Sequence, residues 1–284
     1  MDSQNYLSIY AKSFSWAGFF LTKETYKKCS DLYNFCRFLD NIADEPGELE
    51  ARKLKFKEFK DNFKSKNFSN PIIENMWRLI DDTNISTNII YDLFDGVESD
   101  LKERVEFKTE KELLIYSYRV AGTVGLMMAK ILKVKKEIAF KAAIDLGIAM
   151  QLTNISRDVI EDQNLNRHYI NPEIEKILET LDLAEIFYKS CFYSIKEIPF
   201  RLRFSICVAR RVYRKIGHKI KNKKDFNEYE KSGKIFITNF GKIVQTFISL
   251  LDMIELSFTK EPKIHETENK HKIIMEEINL NERF

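Results

Sequence analysis

Apolar residues recur every three to four positions along most of this chain. That period predicts helices near 4–19, 23–43, 48–64, 71–81, 86–103, 109–132, 136–163, 173–193, 200–221 and 234–257. Turn-forming residues interrupt the pattern where helices should stop: Asp44-Glu45-Pro46-Gly47, Ser69-Asn70-Pro71, Asn171-Pro172 and Ser232-Gly233. No internal repeat and no Gly/Ser-rich linker divides the sequence. The pattern therefore predicts one all-α domain over residues 1–258. A highly charged tail, 259–284, is expected to be loosely attached, with a short helix around Ile273–Leu280.

Two of these helices carry a second stripe beside the apolar one. Leu32, Phe35, Cys36 and Leu39 form a core stripe, and Tyr33, Arg37, Asp40 and Asp44 run next to it. The stripe ends in Asp40, Asp44 and Glu45 just before Pro46. Carboxylates are disfavoured there by the partial negative charge of a helix C-terminus. In the later helix Ile148, Leu152, Ile155 and Val159 form the core stripe, flanked by Gln151, Asn154, Asp158 and Asp162. Taken singly, either polar stripe reads as a solvated face with a local Arg–Asp pair. Taken together, each adjoining an apolar stripe, they point into one shared cavity. Four facing carboxylates repel unless cations intervene, and oxygen ligands without Cys or His select Mg²⁺ or Mn²⁺ over zinc. Such ions keep positions open for phosphate oxygens, which Arg157 and Arg167 are placed to share.

The segment 115–132 reads as a buried helix, yet contains Gly122 and Gly125. Each costs about 1 kcal/mol relative to Ala in a helix interior. Two readings stand: close helix–helix packing, or a wall that lets a long apolar ligand approach, with Tyr116, Val120, Val124 and Met127.

Composition narrows the rest. The 284 residues are 44% hydrophobic and 13% aromatic with only 9 Gly and 5 Pro, enough for a sizeable core and unlike a loop-rich or all-β chain. Net charge is +3, which by itself predicts no nucleic-acid partner. Four cysteines without a CxxC pair suggest a reduced, cytoplasmic protein. No secretory leader is evident and no apolar run reaches membrane-spanning length, so any membrane contact is expected to be peripheral. The Lys-rich segment 215–226 could touch anionic headgroups, although a solvated face is the plainer reading. His168, His218, His265 and His271 show no metal-ligand spacing and are expected at the surface or in the tail. Gly122-Thr123-Val124-Gly125 lacks the strand–turn–helix setting of a dinucleotide fingerprint.

Five stretches, in order, resemble the squalene/phytoene synthase family of head-to-head prenyl transferases: SFSWAGFFL (13–21), LYNFCRFLDNIADE (32–45), YSYRVAGTVGLMM (116–128), QLTNISRDVIEDQNLNRHYI (151–170) and ARRVYRKIGHKI (209–220). Coverage runs from about residue 6 to 255, and RVAGTVGLMM is most similar to bacterial phytoene synthases. The resemblance implies an isoprenoid-synthase helical bundle around a central cavity. It implies catalytic, Mg²⁺-binding roles for Asp40, Asp44, Asp158 and Asp162, with Asn154 as a further ligand. Arg37, Gln151, Arg157, Arg167 and Tyr169 match positions tied to diphosphate and the cavity mouth, and Lys234 stands where relatives often carry Arg. Ser13, Phe14, Tyr33, Tyr116, Val120, Val124 and Tyr213 match substrate-pocket positions. The implied reaction joins two geranylgeranyl diphosphates through a cyclopropyl diphosphate to phytoene, for carotenoid biosynthesis, with Mg²⁺ (or Mn²⁺) as cofactor. Alternatives are squalene, dehydrosqualene or presqualene diphosphate formation from farnesyl diphosphate, or a non-catalytic relative acting as an assembly factor. Two departures are visible: the first motif is Asp-Asn-Ile-Ala-Asp, and 233–243 (GKIFITNFGKI) replaces a more basic stretch.

Overall fold

A computed structural model describes residues 16, 18–260 and 265–284. The expected helix over 4–19 falls largely outside the described residues, as do Ser13 and Phe14. In chain order the structure has α1 (Lys23–Asp44), α2 (Leu49–Lys64), α3 (Pro71–Thr83), α4 (Thr87–Glu98), β1 (Val105–Glu106), α5 (Glu110–Ser117), α6 (Thr123–Ile131), α7 (Glu137–Arg157), α8 (Val159–Asn164), β2 (Arg167–His168), α9 (Ile174–Ser190), α10 (Phe200–Lys221), α11 (Phe226–Lys231), α12 (Asn239–Phe258) and α13 (Glu268–Met275). The all-α expectation holds. The small departure is a two-residue parallel pairing, Val105 opposite Arg167 and Glu106 opposite His168.

Several helix starts follow from local chemistry. Thr109 caps α5 by accepting from the Glu112 amide, and the Glu112 carboxylate accepts from the Thr109 amide in return. Asn70 caps α3, with Pro71 in its first turn.

Helix α7 is the axis of the bundle. It packs against α9, α6 and α10, and its residues Ile144, Ile148, Ala149 and Leu152 are fully buried. Two glycines set one of these contacts. A Cβ on Gly125 would lie 2.1 Å from the Ala143 carbonyl oxygen, and one on Gly147 would lie 2.2 Å from that of Ala121. The close-packing reading of the mid-helix glycine is thus correct at Gly125, which also lines the cavity described below.

Two expected long helices are broken. Residues Tyr118–Gly122 form a π-helical turn between α5 and α6. The 136–163 helix ends at Arg157 and restarts at Val159, with Asp158 at φ −107°, ψ 18°. The Asp162 amide still donates to the Asp158 carbonyl at 2.8 Å, so the two aspartates remain one turn apart across the break.

The C-terminal residues differ from expectation in their packing. Ile274, Ile278 and Leu280 are buried in the main hydrophobic cluster, and Phe284 stacks on Phe140 with centroids 6.0 Å apart. Arg283 grips both oxygens of Asp92 at 2.8 and 3.0 Å. The tail is charged on average, but apolar residues spaced three to four apart give α13 and its extension a core-facing stripe. The helix itself lies at Glu268–Met275, earlier than the expected Ile273–Leu280.

Candidate active site

A cavity opens between α1, α6, α7 and α10. It is lined mostly by apolar and small side chains, among them Leu32, Val120, Val124, Gly125, Ala129, Ala142 and Ala209. Its room for water-molecule centres is about 260 Å³. The π-helical turn supplies Val120 and Ala121 to the wall. Such a turn widens the helix locally and often marks a functional site. Polar groups enter at one end: Tyr33 and Asp40 from α1, Gln151 and Asn154 from α7, and Tyr213 from α10.

The aspartates converge there. Asp40 sits in the field of Asp44, Arg37, Asp100 and Arg167. Asp162, from α8, is in the field of Asp158, Arg167 and Asp100. One guanidinium, Arg167, therefore acts on carboxylates from both motifs. Its Nη1 donates to Asp44 Oδ1 at 2.7 Å and its Nη2 to the Ala43 carbonyl at 3.2 Å. Arg52 donates to the same carbonyl at 2.6 Å. Helix α1 has no basic residue in its own last turn. Two arginines from elsewhere in the chain thus supply the positive charge its C-terminus lacks. The β1–β2 pairing fixes the segment from which Arg167 reaches.

Not every carboxylate is matched this way. Burial and then Asp44 push the Asp40 carboxyl up to about 7. Asp40 is accessible to solvent through the cavity it lines, yet the surrounding protein still deprives its charge of bulk hydration. Burial and then Asp158 push Asp162 up to about 8. Asp158 itself is held by Arg157 through paired contacts at 2.7 and 2.5 Å, and Lys234 Nζ lies 3.1 Å from its Oδ1. Lys234 thus reaches the second motif although the segment around it departs from the family pattern.

The residues fit a hard divalent cation. Asp40 and Asp162 lack full positive compensation. The Asn154 Oδ1 is buried without a hydrogen-bond partner and lines the cavity one turn before Asp158. An unmatched amide oxygen beside underneutralised carboxylates is an oxygen-donor set of the kind that Mg²⁺ or Mn²⁺ takes.

Arg37 lies within electrostatic reach of both Tyr33 and Asp40. Tyr33 and Tyr213 influence each other across the cavity, and burial pushes the Tyr33 hydroxyl up to about 12. Tyr116, expected in the substrate pocket, and Tyr169, matched to the diphosphate and cavity-mouth positions, are both outside the cavity lining. They stack on each other with centroids 4.7 Å apart. Both hydroxyls donate to the buried Asp100, each at 2.7 Å.

Asp100 was not legible as a site residue. It is isolated in sequence, and its tyrosine partners lie 16 and 69 residues away. Burial raises its pKa, while Arg167 and the two tyrosines oppose that rise. It adds a fifth carboxylate behind the two motifs.

The squalene/phytoene synthase family model matches residues 7–176. The 15-cis-phytoene synthase of Paracoccus sp. (strain N81106 / MBIC 01143) is 38% identical over 148 residues, 46% of this chain and about half (48%) of that protein. The phytoene synthase of Pseudescherichia vulneris is 29% identical over 244 residues, covering 74% of this chain and 79% of that one. Among solved structures, a dehydrosqualene synthase in complex with ligand superposes with a TM-score of 0.70 at 21% identity, over 89% of this chain and 95% of that one. With Asp40 lining an apolar cavity, both aspartate pairs grouped around Arg167 and a family match over more than half its length, this chain belongs to the squalene/phytoene synthase family.

Proposed function

We propose that the protein is a phytoene synthase, a prenyltransferase that condenses two geranylgeranyl diphosphates head to head through a cyclopropyl diphosphate. The observation that carries this reading is the grouping of both aspartate pairs around Arg167, with Asp40, Gln151 and Asn154 lining a cavity that is otherwise mostly apolar. Phytoene synthases from several organisms among the relatives support the choice of product.

Asp40, Asp44, Asn154, Asp158 and Asp162 would hold the cations, Mg²⁺ or Mn²⁺. When bound, these supply Lewis-acid stabilisation of the departing diphosphate. The chain's own residues do the rest. Arg157, Arg167 and Lys234 sit around the motifs as fixed positive charge for the leaving group. Gln151 at the cavity entrance supplies hydrogen-bonding capacity. Tyr33 and Tyr213 present aromatic faces to a carbocation held beside them. The apolar wall excludes water that would quench that cation. Tyr169 and Tyr116 act through Asp100, fixing the carboxylate layer behind the site.

Chain length separates this reading from its alternative, squalene-type chemistry on farnesyl diphosphate. The lining includes Ala121, Gly125, Ala129, Ala139, Ala142, Ala143, Gly147 and Ala209. Side chains this small leave depth for a C20 tail. Purified protein incubated with the divalent ion and C15 or C20 diphosphate separately, followed by identification of the hydrocarbon, tests the assignment. C40 product from the C20 substrate is expected, and exclusively C30 product would refute it.

Peripheral membrane contact in the cytoplasm belongs to the same proposal. Helix α12 turns its polar residues Gln245, Ser249 and Asp252 inward, where Asp252 pairs with Arg211. Among the described residues its outer side exposes Phe240, Phe247, Leu250, Leu251, Ile254 and Phe258. An apolar product leaves more readily into lipid than into water.

A further inference from the structure

Far along α7 from the second aspartate motif, Asp145 is completely buried. Two histidines of the C-terminal segment, His265 and His271, close over it. His271 Nε2 lies 2.7 Å from Asp145 Oδ1, and His265 Nε2 lies 3.4 Å from Oδ2. Both imidazoles are buried, His271 completely. One ligand atom from each of the three residues falls within 4.8 Å of the others, the sole such grouping of three among the described residues.

The protons around this group do not balance well. Thr267 Oγ1 donates its hydrogen to Asp145 Oδ2. His265 Nδ1 faces the Thr267 and Ser190 hydroxyl oxygens, each at 3.1 Å. With its own hydrogen spent on Asp145, the Thr267 oxygen accepts either from the Ser190 hydroxyl at 3.2 Å or from the Nδ1–H tautomer of His265. That tautomer turns a bare Nε2 lone pair toward a carboxylate oxygen. Nε2 has no hydrogen-bond partner. In that tautomer two acceptors face each other at 3.4 Å in a buried interior, which is unfavourable unless something positive lies between them.

We propose that Asp145, His265 and His271 form a zinc-class metal site that fastens the C-terminal segment to α7. Two imidazole nitrogens and a carboxylate oxygen suit Zn²⁺, which binds such donors at about 2.0–2.2 Å. The 3.4 Å between His265 Nε2 and Asp145 Oδ2 is close to a tetrahedral edge for those bond lengths, whereas His271 Nε2 and Asp145 Oδ1, 2.7 Å apart, must separate to admit the ion. Ser190 and Thr267 complete the outer layer by fixing the His265 ring through Nδ1. The site differs in chemistry from the cavity mouth, where the donors are oxygen alone. It joins three elements: α7, the C-terminal end of α9 at Ser190, and the segment opening α13.

The test begins with the full chain stripped by a chelator, dialysed into millimolar Mg²⁺ and titrated with ZnCl₂ against a chromophoric competitor. One Zn²⁺ per chain is expected to bind in the presence of Mg²⁺, with proton release, a higher Tm and slower proteolytic cutting near residues 259–266. X-ray absorption at the zinc edge should show two imidazoles. The pair His265→Gln and His271→Gln should lower the affinity at least tenfold, with the helical circular-dichroism spectrum intact. Absence of tight zinc binding by the wild-type chain would overturn the proposal, whatever the variants do. So would zinc binding unchanged in the double variant, or removed instead by Asp162→Asn.

Discussion

Asp145 and Asp158 stand on one helix, thirteen residues or about 20 Å apart. Their surroundings differ sharply. Asp145 lies midway along α7, buried, and meets Thr267, His265 and His271 from a distant part of the chain. Asp158 lies where α7 breaks, half-buried, beside Arg157 and Lys234, with Asp162 one turn on. The first is closed over by chain, and its neighbours hold the tail in place. The second belongs to a group of which Asp40 lines the cavity, and that group leaves Asp40 and Asp162 without full positive compensation. A buried carboxylate whose protein partners surround it has a structural task. A carboxylate layer that repels itself at the mouth of an apolar cavity is built for something that arrives from outside.

The largest effect should come from the open end. Asp40→Asn and Asp158→Asn should each reduce turnover by about 10²-fold or more, because electrostatic stabilisation is the main contribution to such a reaction. The helical circular-dichroism spectrum should be unchanged. Full activity in both would erase the distinction between the two ends.

At the closed end, Arg283→Ala should destabilise the fold without touching the chemistry. It removes both Arg283 contacts from the buried Asp92, which keeps only the Tyr118 hydroxyl, a loss of about 1.5–3 kcal/mol for hydrogen bonds to a charged group. Thermal unfolding and kcat measured together separate the two outcomes. A loss of kcat at unchanged Tm would assign the tail a role in catalysis instead.

The cavity itself offers an intermediate test. Ala142→Phe places a large ring in the wall, and overpacking costs about 1–3 kcal/mol. The C20 substrate should be disfavoured relative to the C15 substrate, read as the ratio of kcat/KM. An unchanged ratio would mean that the tail of the substrate lies elsewhere.

The smallest effect concerns pH. Asp40 is held above its ordinary value, up to about 7, so the native state keeps a proton that the unfolded chain loses near pH 4. Stability contributed through this group therefore falls as pH rises from about 4 to 7 in metal-free protein. Asp40→Asn should flatten that part of the wild-type curve. Millimolar Mg²⁺ should do the same, by replacing the proton with a cation. Unfolding midpoints with and without chelator across this range would show it, and parallel curves would count against a shared proton and metal position.

Much of the fold was legible because helical periodicity is a local signal. The stripes on α1 and α7 gave the aspartates, the core positions and the direction of the cavity. What remained hidden depends on partners far apart in sequence. The acidic end of α1 is relieved by Arg52 and Arg167, neither of which its own sequence announces. Asp100 becomes a site residue only when Tyr116 and Tyr169 fold over it. The histidines of the tail were expected at the surface because six residues separate them and their third partner, Asp145, is about 120 residues earlier. In α12 the polar side faces inward and the apolar side is exposed, an orientation that helical periodicity alone does not give. Periodicity shows that a helix has two sides without showing which one the protein covers.

The most direct test of the central claim uses a ligand that cannot react. Calorimetric titration of the wild-type chain with inorganic diphosphate, with and without Mg²⁺, should show tight binding only when the metal is present, and that binding should disappear in Asp162→Asn. Equal affinity in metal-free solution, or binding untouched by the substitution, would contradict the role assigned to the facing aspartates.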